Sequence, residues 1–304
     1  MKISSANNDF STQNHFKSPH LCGNPQENNR LRNIYIAPDS FERCHNGVNQ
    51  KNYIRHCKKP PAQKLKRGQI LGKNNKIFCN NTTDMFRDDI DWKQFGNFLY
   101  KQFKDCKKVN TYNYAASTGE EPYSLSILLQ TRFKEDAKKF FPIYAKDLDT
   151  KLIIQDTIAQ KTKRIYIPQT FSRAQKALGV EDSELKGLLM PDDHSYGATL
   201  RQNVISPIKF SCANILDDIK NIDNKNPSLV MCRNMWPYIN SSEYDGYAEA
   251  LYEKLAPGSV VVIGFFDYTA DYSDKIFPDS LKKAGFKESN ADINSQFKLV
   301  FQKN

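Results

Sequence analysis

At 304 residues, 39% of them hydrophobic, the chain has the length of about two domains and enough apolar residues for a sizeable core. No run approaches the roughly 18 apolar residues of a membrane helix, and the N-terminal MKISSANNDF has no apolar signal core, so a cytoplasmic protein is expected. The net charge of +10 sits entirely in the first quarter, where residues 1–76 hold 14 Lys+Arg against 4 Asp+Glu while the other 228 residues hold 30 of each.

That first quarter is rich in Asn and poor in apolar residues at helical or strand spacing. Such a composition cannot bury enough surface to offset the entropy of ordering, so residues 1–76 are expected to be largely disordered. A solvated basic tail and a tail that docks onto nucleic acid, membrane or an acidic protein both remain open. Cys44-His45 and His56-Cys57, with His20 and Cys22, bring soft ligands together. Adjacent Cys-His pairs, however, lack the spacings that let side chains converge on one tetrahedral ion, so no metal is expected. Seven cysteines, an odd number at irregular spacing, predict reduced thiols rather than a disulfide framework.

From residue 77 onward, strand-like and helical runs alternate. VNTYNYAA at 109–116 reads as a strand, followed by a helix from about Glu120 in which Leu125, Leu128, Leu129 and Phe133 recur at helical spacing as core residues. Then come PIYAKD at 142–147, a helix through KLIIQDTIAQ, the strands IKFSCAN and SLVMCRN, a helix in YDGYAEALYEKL, and the strands SVVVIGFF and QFKLVFQK. Strands separated by helices predict an α/β domain over 77–304 with a doubly wound, Rossmann-like parallel sheet; residues 165–206 interrupt the alternation as an inserted subdomain.

Ligands of such sheets lie beyond the carboxyl ends of the strands, near the switch point. Four strand ends supply polar residues there: Gly119 to Glu121, Asp147, Asn214, and Cys232-Arg233-Asn234. The first is a tight Gly turn opening a helix, where phosphates usually bind. Glu120 and Glu121 would repel a phosphate. Thr118 and Glu121 have the spacing of a capping box, which needs no ligand. The other reading is a nucleoside ligand without phosphate that offers an amine and hydroxyls, a description S-adenosylmethionine fits. Asp147 stands where an acidic residue commonly meets ribose hydroxyls, and G-x-G-x-x-G is absent, which argues against NAD.

The motifs NTTDMFR, AASTGEEPYSL, AKDLD, FSCANIL, MCRNMWPY and LAPGSVVVIG, in this order, resemble the chemoreceptor glutamate methyltransferases, the CheR family, from about Asn80 to the C-terminus. The resemblance implies a class I S-adenosylmethionine-dependent methyltransferase fold and an enzyme that esterifies glutamate side chains on the cytoplasmic part of a chemoreceptor. By motif position it implies cofactor contacts from Asn81, Thr83, Arg87, Glu121, Asp147, Asn214, Ile215, Cys232 and Arg233, beside Gly119 of the turn. Tyr238 matches the family's active-site tyrosine, and Arg87 would hold either the methionine carboxylate or the incoming glutamate. The chain departs from the family in its basic tail, in Trp236 and Pro237 where aliphatic residues are usual, and in an insert without a recognisable receptor-tethering motif.

The chemistry agrees with this resemblance. A carboxylate with a reference pKa of about 4.3 is already ionised at neutral pH, so methyl transfer to it needs no strong general base. Four of the five histidines lie in the tail and His194 in the insert. Two alternatives remain: a module that binds S-adenosylmethionine without catalysis, and a base methyltransferase, because Asn-Met-Trp-Pro-Tyr distantly resembles the N-P-P-Y of amino-methylating enzymes.

Overall fold

Buried parallel strands carry apolar residues on both faces, and the run Val260–Val262 and the run Ser228–Met231 are wholly buried. The computed structural model of the protein describes residues 69–71, 77–79, 83–149, 166–167, 170–191, 197–269 and 275–304. Most of the basic tail, the helix expected over 151–160 and the Cys/His cluster therefore lie outside the described residues. At the tail's end, β1 (Gln69–Leu71) pairs antiparallel with β2 (Ile77–Cys79).

The central sheet contains β3 (Asn110–Tyr114), β4 (Ile143–Asp147), β8 (Ile208–Cys212), β9 (Ser228–Met231), β10 (Val260–Val262), β11 (Lys287–Glu288) and β12 (Val300–Gln302), in the order β11-β12-β10-β9-β3-β4-β8. The five strands from β10 to β8 are parallel; β12 runs antiparallel to β10, and β11 to β12. The chain winds outward from β3 through β4 to β8, then returns to β9 on the other side of β3. The switch point therefore lies between β3 and β9, where Thr111 pairs with Leu229 and Asn113 with Met231.

Strand β3 is unusual among them. One face carries Tyr112 and Tyr114, stacked with ring centroids 6.3 Å apart, and Tyr112 also stacks on Tyr144 of β4 at 5.6 Å. Asp218 accepts from the Tyr114 hydroxyl at 2.8 Å and from Lys146 Nζ at 3.0 Å, so the polar ends of this face are satisfied. The other face carries Thr111 and Asn113, polar yet fully buried.

Helix α1 (Trp92–Phe103) is capped by Asp91, which accepts from Gln94 N–H at 2.9 Å, and buries Trp92, Phe95, Leu99 and Phe103 along one face. Helix α2 (Glu120–Phe133) follows β3 and buries Leu125, Leu128, Leu129 and Phe133 in the core. Between β4 and β8 stand β5 (Tyr166–Ile167), α3 (Thr170–Leu178), α4 (Asp182–Lys186), β6 (Leu189–Pro191), β7 (Ala198–Leu200) and α5 (Gln202–Ile205). Their strands form a separate antiparallel sheet in the order β5-β7-β6. Ser126 Oγ donates to the Val204 carbonyl at 3.0 Å and Gln130 Nε2 to that of Asn203 at 2.8 Å, which ties the end of this segment to α2.

After β8 come α6 (Ile215–Ile219), α7 (Tyr244–Lys254), α8 (Phe266–Thr269) and α9 (Phe277–Ala284). The reduced-thiol expectation meets one exception: Cys212, at the end of β8, is disulfide-bonded. Cys106 and Cys232 are free thiols.

Candidate active site

The turn from β3 into α2 is held open by backbone geometry that side chains rarely adopt. Ala115, Ser117 and Gly119 have φ of 57°, 51° and 90°. A Cβ on Gly119 would meet Tyr123 Cε2 at 2.8 Å and Phe210 Cζ at 3.0 Å, so glycine is required on both counts. Across the crevice Asn234 has φ of 57°, and in the upstream motif Phe86 has φ of 49°. Thus four of the five non-glycine residues with positive φ among the described residues lie on segments that meet at the switch point. Such conformations cost roughly 1–3 kcal/mol each and gather at functional sites.

The turn is drawn toward β4 by Asp147, whose Oδ2 accepts from Ser117 N–H at 2.8 Å and whose Oδ1 accepts from Asp149 N–H at 2.9 Å. Burial pushes the Asp147 carboxyl up, and these N–H bonds pull it back only in part. Asn214 caps α6, accepting from Leu216 N–H at 2.9 Å, with Ile215 buried behind it.

Helix α2 is not closed by a capping box. Its N-cap is Gly119, Thr118 Oγ1 donates to Glu120 at 2.5 Å, and both Glu121 oxygens are engaged elsewhere. Asn113 Nδ2 donates to Oε1 at 2.7 Å and Arg233 Nη1 to Oε2 at 2.6 Å. The second arm of Arg233, Nη2, donates to Asp89 Oδ1. The Arg233 side chain is wholly removed from solvent, and its guanidinium lies 5.7 Å from the Trp92 ring centroid. The cationic form is held by Glu121 and Asp89, which outweigh burial.

Loops after β9 and β10 lock together around Asp267. Its carboxylate accepts from Gly264 N–H at 2.6 Å, Asn234 N–H at 2.8 Å and Trp236 N–H at 3.2 Å. A Cβ on Gly264 would meet Asn234 Oδ1 at 2.1 Å, so only glycine lets these loops touch. Trp236 stacks on Phe277 at 3.3 Å and donates from Nε1 to the Cys232 carbonyl at 3.0 Å. The departure at Trp236 is thus a core anchor for the short 3-10 turn Trp236–Tyr238. Tyr238 itself is half-buried.

Of the predicted residues, Gly119, Glu121, Asp147, Asn214 and Arg233 come together at the strand ends. Arg87 lies at the edge, its guanidinium 6.0 Å from the ring centroid of the exposed Phe266. Cys232 is the least suited to contact a ligand: its N–H bonds to the Val262 carbonyl at 2.9 Å, its carbonyl is taken by Trp236, and burial pushes its thiol far up. Asn81 lies outside the described residues. A cleft of about 1190 Å3 opens beside α3 and residues 292–298; it is lined by Thr83, Arg87 and Asp89 but by none of Glu121, Asp147 or Asn214. Sequence reasoning missed Asp89, Asn113, Gly264 and Asp267, and placed Asn234 at its strand end without its contacts. Only Asn113, a polar residue inside a strand, carries a local signal.

Three buried polar atoms around this turn and its partners have no hydrogen-bond partner: Asn113 Oδ1, Ser117 Oγ and Arg233 Nε. An acceptor, a hydroxyl and a cationic donor suit a ligand with an ammonium, hydroxyls and a carboxylate, and the carboxylates at the α2 N-terminus disfavour a phosphate. The model of the CheR methyltransferase, SAM binding domain, matches residues 81–277. The chain belongs to this family. Its cofactor is S-adenosylmethionine and its fold is that of the class I methyltransferases. Over 214 residues it is 24% identical to a chemotaxis protein methyltransferase of Listeria monocytogenes serovar 1/2a (strain ATCC BAA-679 / EGD-e), covering 70% of this chain and 72% of the relative. It is also similar to a TehB-like SAM-dependent methyltransferase of Corynebacterium glutamicum ATCC 13032 Kitasato, at 11% identity over 69% of this chain and 88% of that one, with a TM-score of 0.37. An O-methyltransferase family protein of Burkholderia thailandensis matches at 12% identity over 69% and 55%, with a TM-score of 0.36. No helix among the described residues is long and apolar enough to cross a membrane, and no group of three or more metal-ligating side chains occurs among them.

The Asp267 clamp gives this CheR-family domain a pH signature. Burial raises the carboxyl from an ordinary 3.8 to about 7, against the pull of its N–H donors. The folded state therefore keeps a proton that the unfolded chain has lost, and this stabilisation is full at low pH and disappears as pH rises through about 7. The melting temperature should fall between pH 5 and pH 8, and Asp267→Asn should flatten that fall; parallel profiles would remove Asp267 as its source. Gly264→Ala should cost at least about 1 kcal/mol of stability in denaturant melts, because Asn234 has to be displaced.

Proposed function

We propose that this CheR-family methyltransferase O-methylates glutamate side chains of a chemoreceptor-like protein in the cytoplasm. The observation that carries the reading is that the crevice carboxylates Glu121 and Asp147 are already engaged by N–H donors, which leaves them poorly suited to act as a strong general base. A site of this kind suits an acceptor that arrives ionised. The family match and the chemotaxis methyltransferase relative support the same acceptor class.

Bound S-adenosylmethionine supplies a methyl group on a cationic sulfur. Glu121 and Arg233 are suited to its ammonium and carboxylate, Asp147 to its ribose hydroxyls, and Asn214 with Ile215 to the nucleoside end. Asn81, Thr83 and Cys232 complete the proposed set by motif position, with Gly119 allowing close backbone approach. Arg87 lines the cleft beside Phe266, and its planar fork is suited to hold the acceptor carboxylate by two parallel N–H bonds. Tyr238, carried on the Trp236 anchor, orients the acceptor oxygen. Opposite charges neutralise during transfer, so alignment and exclusion of water are the main work of the protein.

Transfer of tritiated methyl groups should label a protein of the membrane fraction, and mild alkali should release the label as an ester methyl; an alkali-stable label, or one on nucleic acid, would overturn the reading. Tyr238→Phe should keep S-adenosylhomocysteine affinity and lower turnover by about tenfold or more, while Arg87→Ala should raise the acceptor KM.

A further inference from the structure

Asp89 stands next to the upstream motif, beyond Arg87, and three groups converge on it. Arg233 Nη2 donates to its Oδ1, Asn234 Nδ2 donates to its Oδ2 at 3.2 Å, and its backbone carbonyl accepts from Asn294 Nδ2 at 2.8 Å. Its side chain is 13% exposed. Burial acts to raise its carboxyl, but Arg233, Arg87 and the two side-chain hydrogen bonds outweigh it, so the group sits below the ordinary value and stays ionised. The same short segment is fixed at two more points. Phe86 N–H donates to Ser124 Oγ of α2 at 2.9 Å, and the Arg87 carbonyl accepts from Trp92 Nε1 at 2.8 Å.

We propose that Asp89 is a positioning residue for methyl transfer: it fills one arm of the Arg233 guanidinium while Glu121 fills the other, fixing the direction of that fork and tying the Arg87 segment to the loop that carries Tyr238. The guanidinium is planar and its donors form a rigid fork, so two carboxylates on separate arms leave it a single orientation, with Nε as its unpartnered donor. Without Asp89, both arms can close on Glu121 as a bidentate pair, which withdraws the arginine and the glutamate from the ligand together. Asn234, released from Asp89, would also loosen the loop that Asp267 clamps.

The inference rests on Arg233 facing the cofactor, so the experiment tests the two separately. S-adenosylhomocysteine is titrated calorimetrically into the full chain and its variants, with a thermal melt of each. Asp89→Ala should weaken binding by about tenfold or more, Asp89→Asn by about fivefold or more with a cooperative melt, and Asp89→Glu should recover to within about threefold of the parent. Wild-type affinity in both Asp89→Ala and Asp89→Asn, with affinity lost in Arg233→Ala, would overturn the role of Asp89 alone. Unchanged affinity in Arg233→Ala would overturn the site reading beneath it. A loss that Asp89→Glu shares in full, or a lost cooperative melt in Asp89→Asn, would make Asp89 a fold-stabilising residue and overturn the proposal.

Discussion

The guanidinium of Arg233 has no access to water and must be compensated inside the protein, and three residues from two parts of the chain are recruited to do it. Glu121 comes from the first turn of α2, Asp89 from the segment before α1, and Trp92 covers the flat face. Placing a charge in such surroundings costs several kcal/mol, and removal of one partner of a buried pair typically costs about 3–5 kcal/mol. The arrangement is therefore better understood as fixing geometry than as adding stability. Through it, the upstream Arg87, the Gly119 turn and the Tyr238 loop share one reference point.

The strained backbone follows from the same requirement. For Glu121 to reach Arg233 and Asn113, α2 has to begin directly after the end of β3, and the chain makes that turn with Ala115, Ser117 and Gly119 in left-handed conformations. Asp147 holds Ser117 from the neighbouring strand, and Asp267 holds Asn234 on the opposite side. These carboxylates use backbone N–H groups as partners, and each is buried enough that its charge is disfavoured. The turn and the loop opposite it are thus held in place by acids bonded to backbone N–H groups, while at the helix start Glu121 is paired with Arg233 and Asn113 and Glu120 accepts from Thr118.

Much of this was legible in the sequence where the signal is local. The parallel strands announce themselves as short apolar runs because both faces are buried, and an acidic residue ending β4 and a Gly turn ending β3 are recognisable from position alone. Helices α1 and α9 passed unnoticed although each buries one face, and β11 is two exposed residues that no periodicity marks. Asp89 and Asp267 are unreadable for another reason: their roles come from contacts with Arg233 and Asn234 that lie 144 and 33 positions away. The capping-box pattern was a true local match to a structure that long-range pairing overrode. Glu121 answers to Arg233 rather than to its own helix.

The central claim is that Glu121 and Arg233 serve the cofactor as a unit, and a double-mutant cycle on S-adenosylhomocysteine affinity tests it most directly. With Glu121→Gln, Arg233→Met and the double variant, calorimetry should find each single change weakening binding by about tenfold or more and the double change scarcely worse than the poorer single, a coupling of about 1 kcal/mol or greater. Losses that simply add would contradict the account, because they would mean the two side chains act on the cofactor independently.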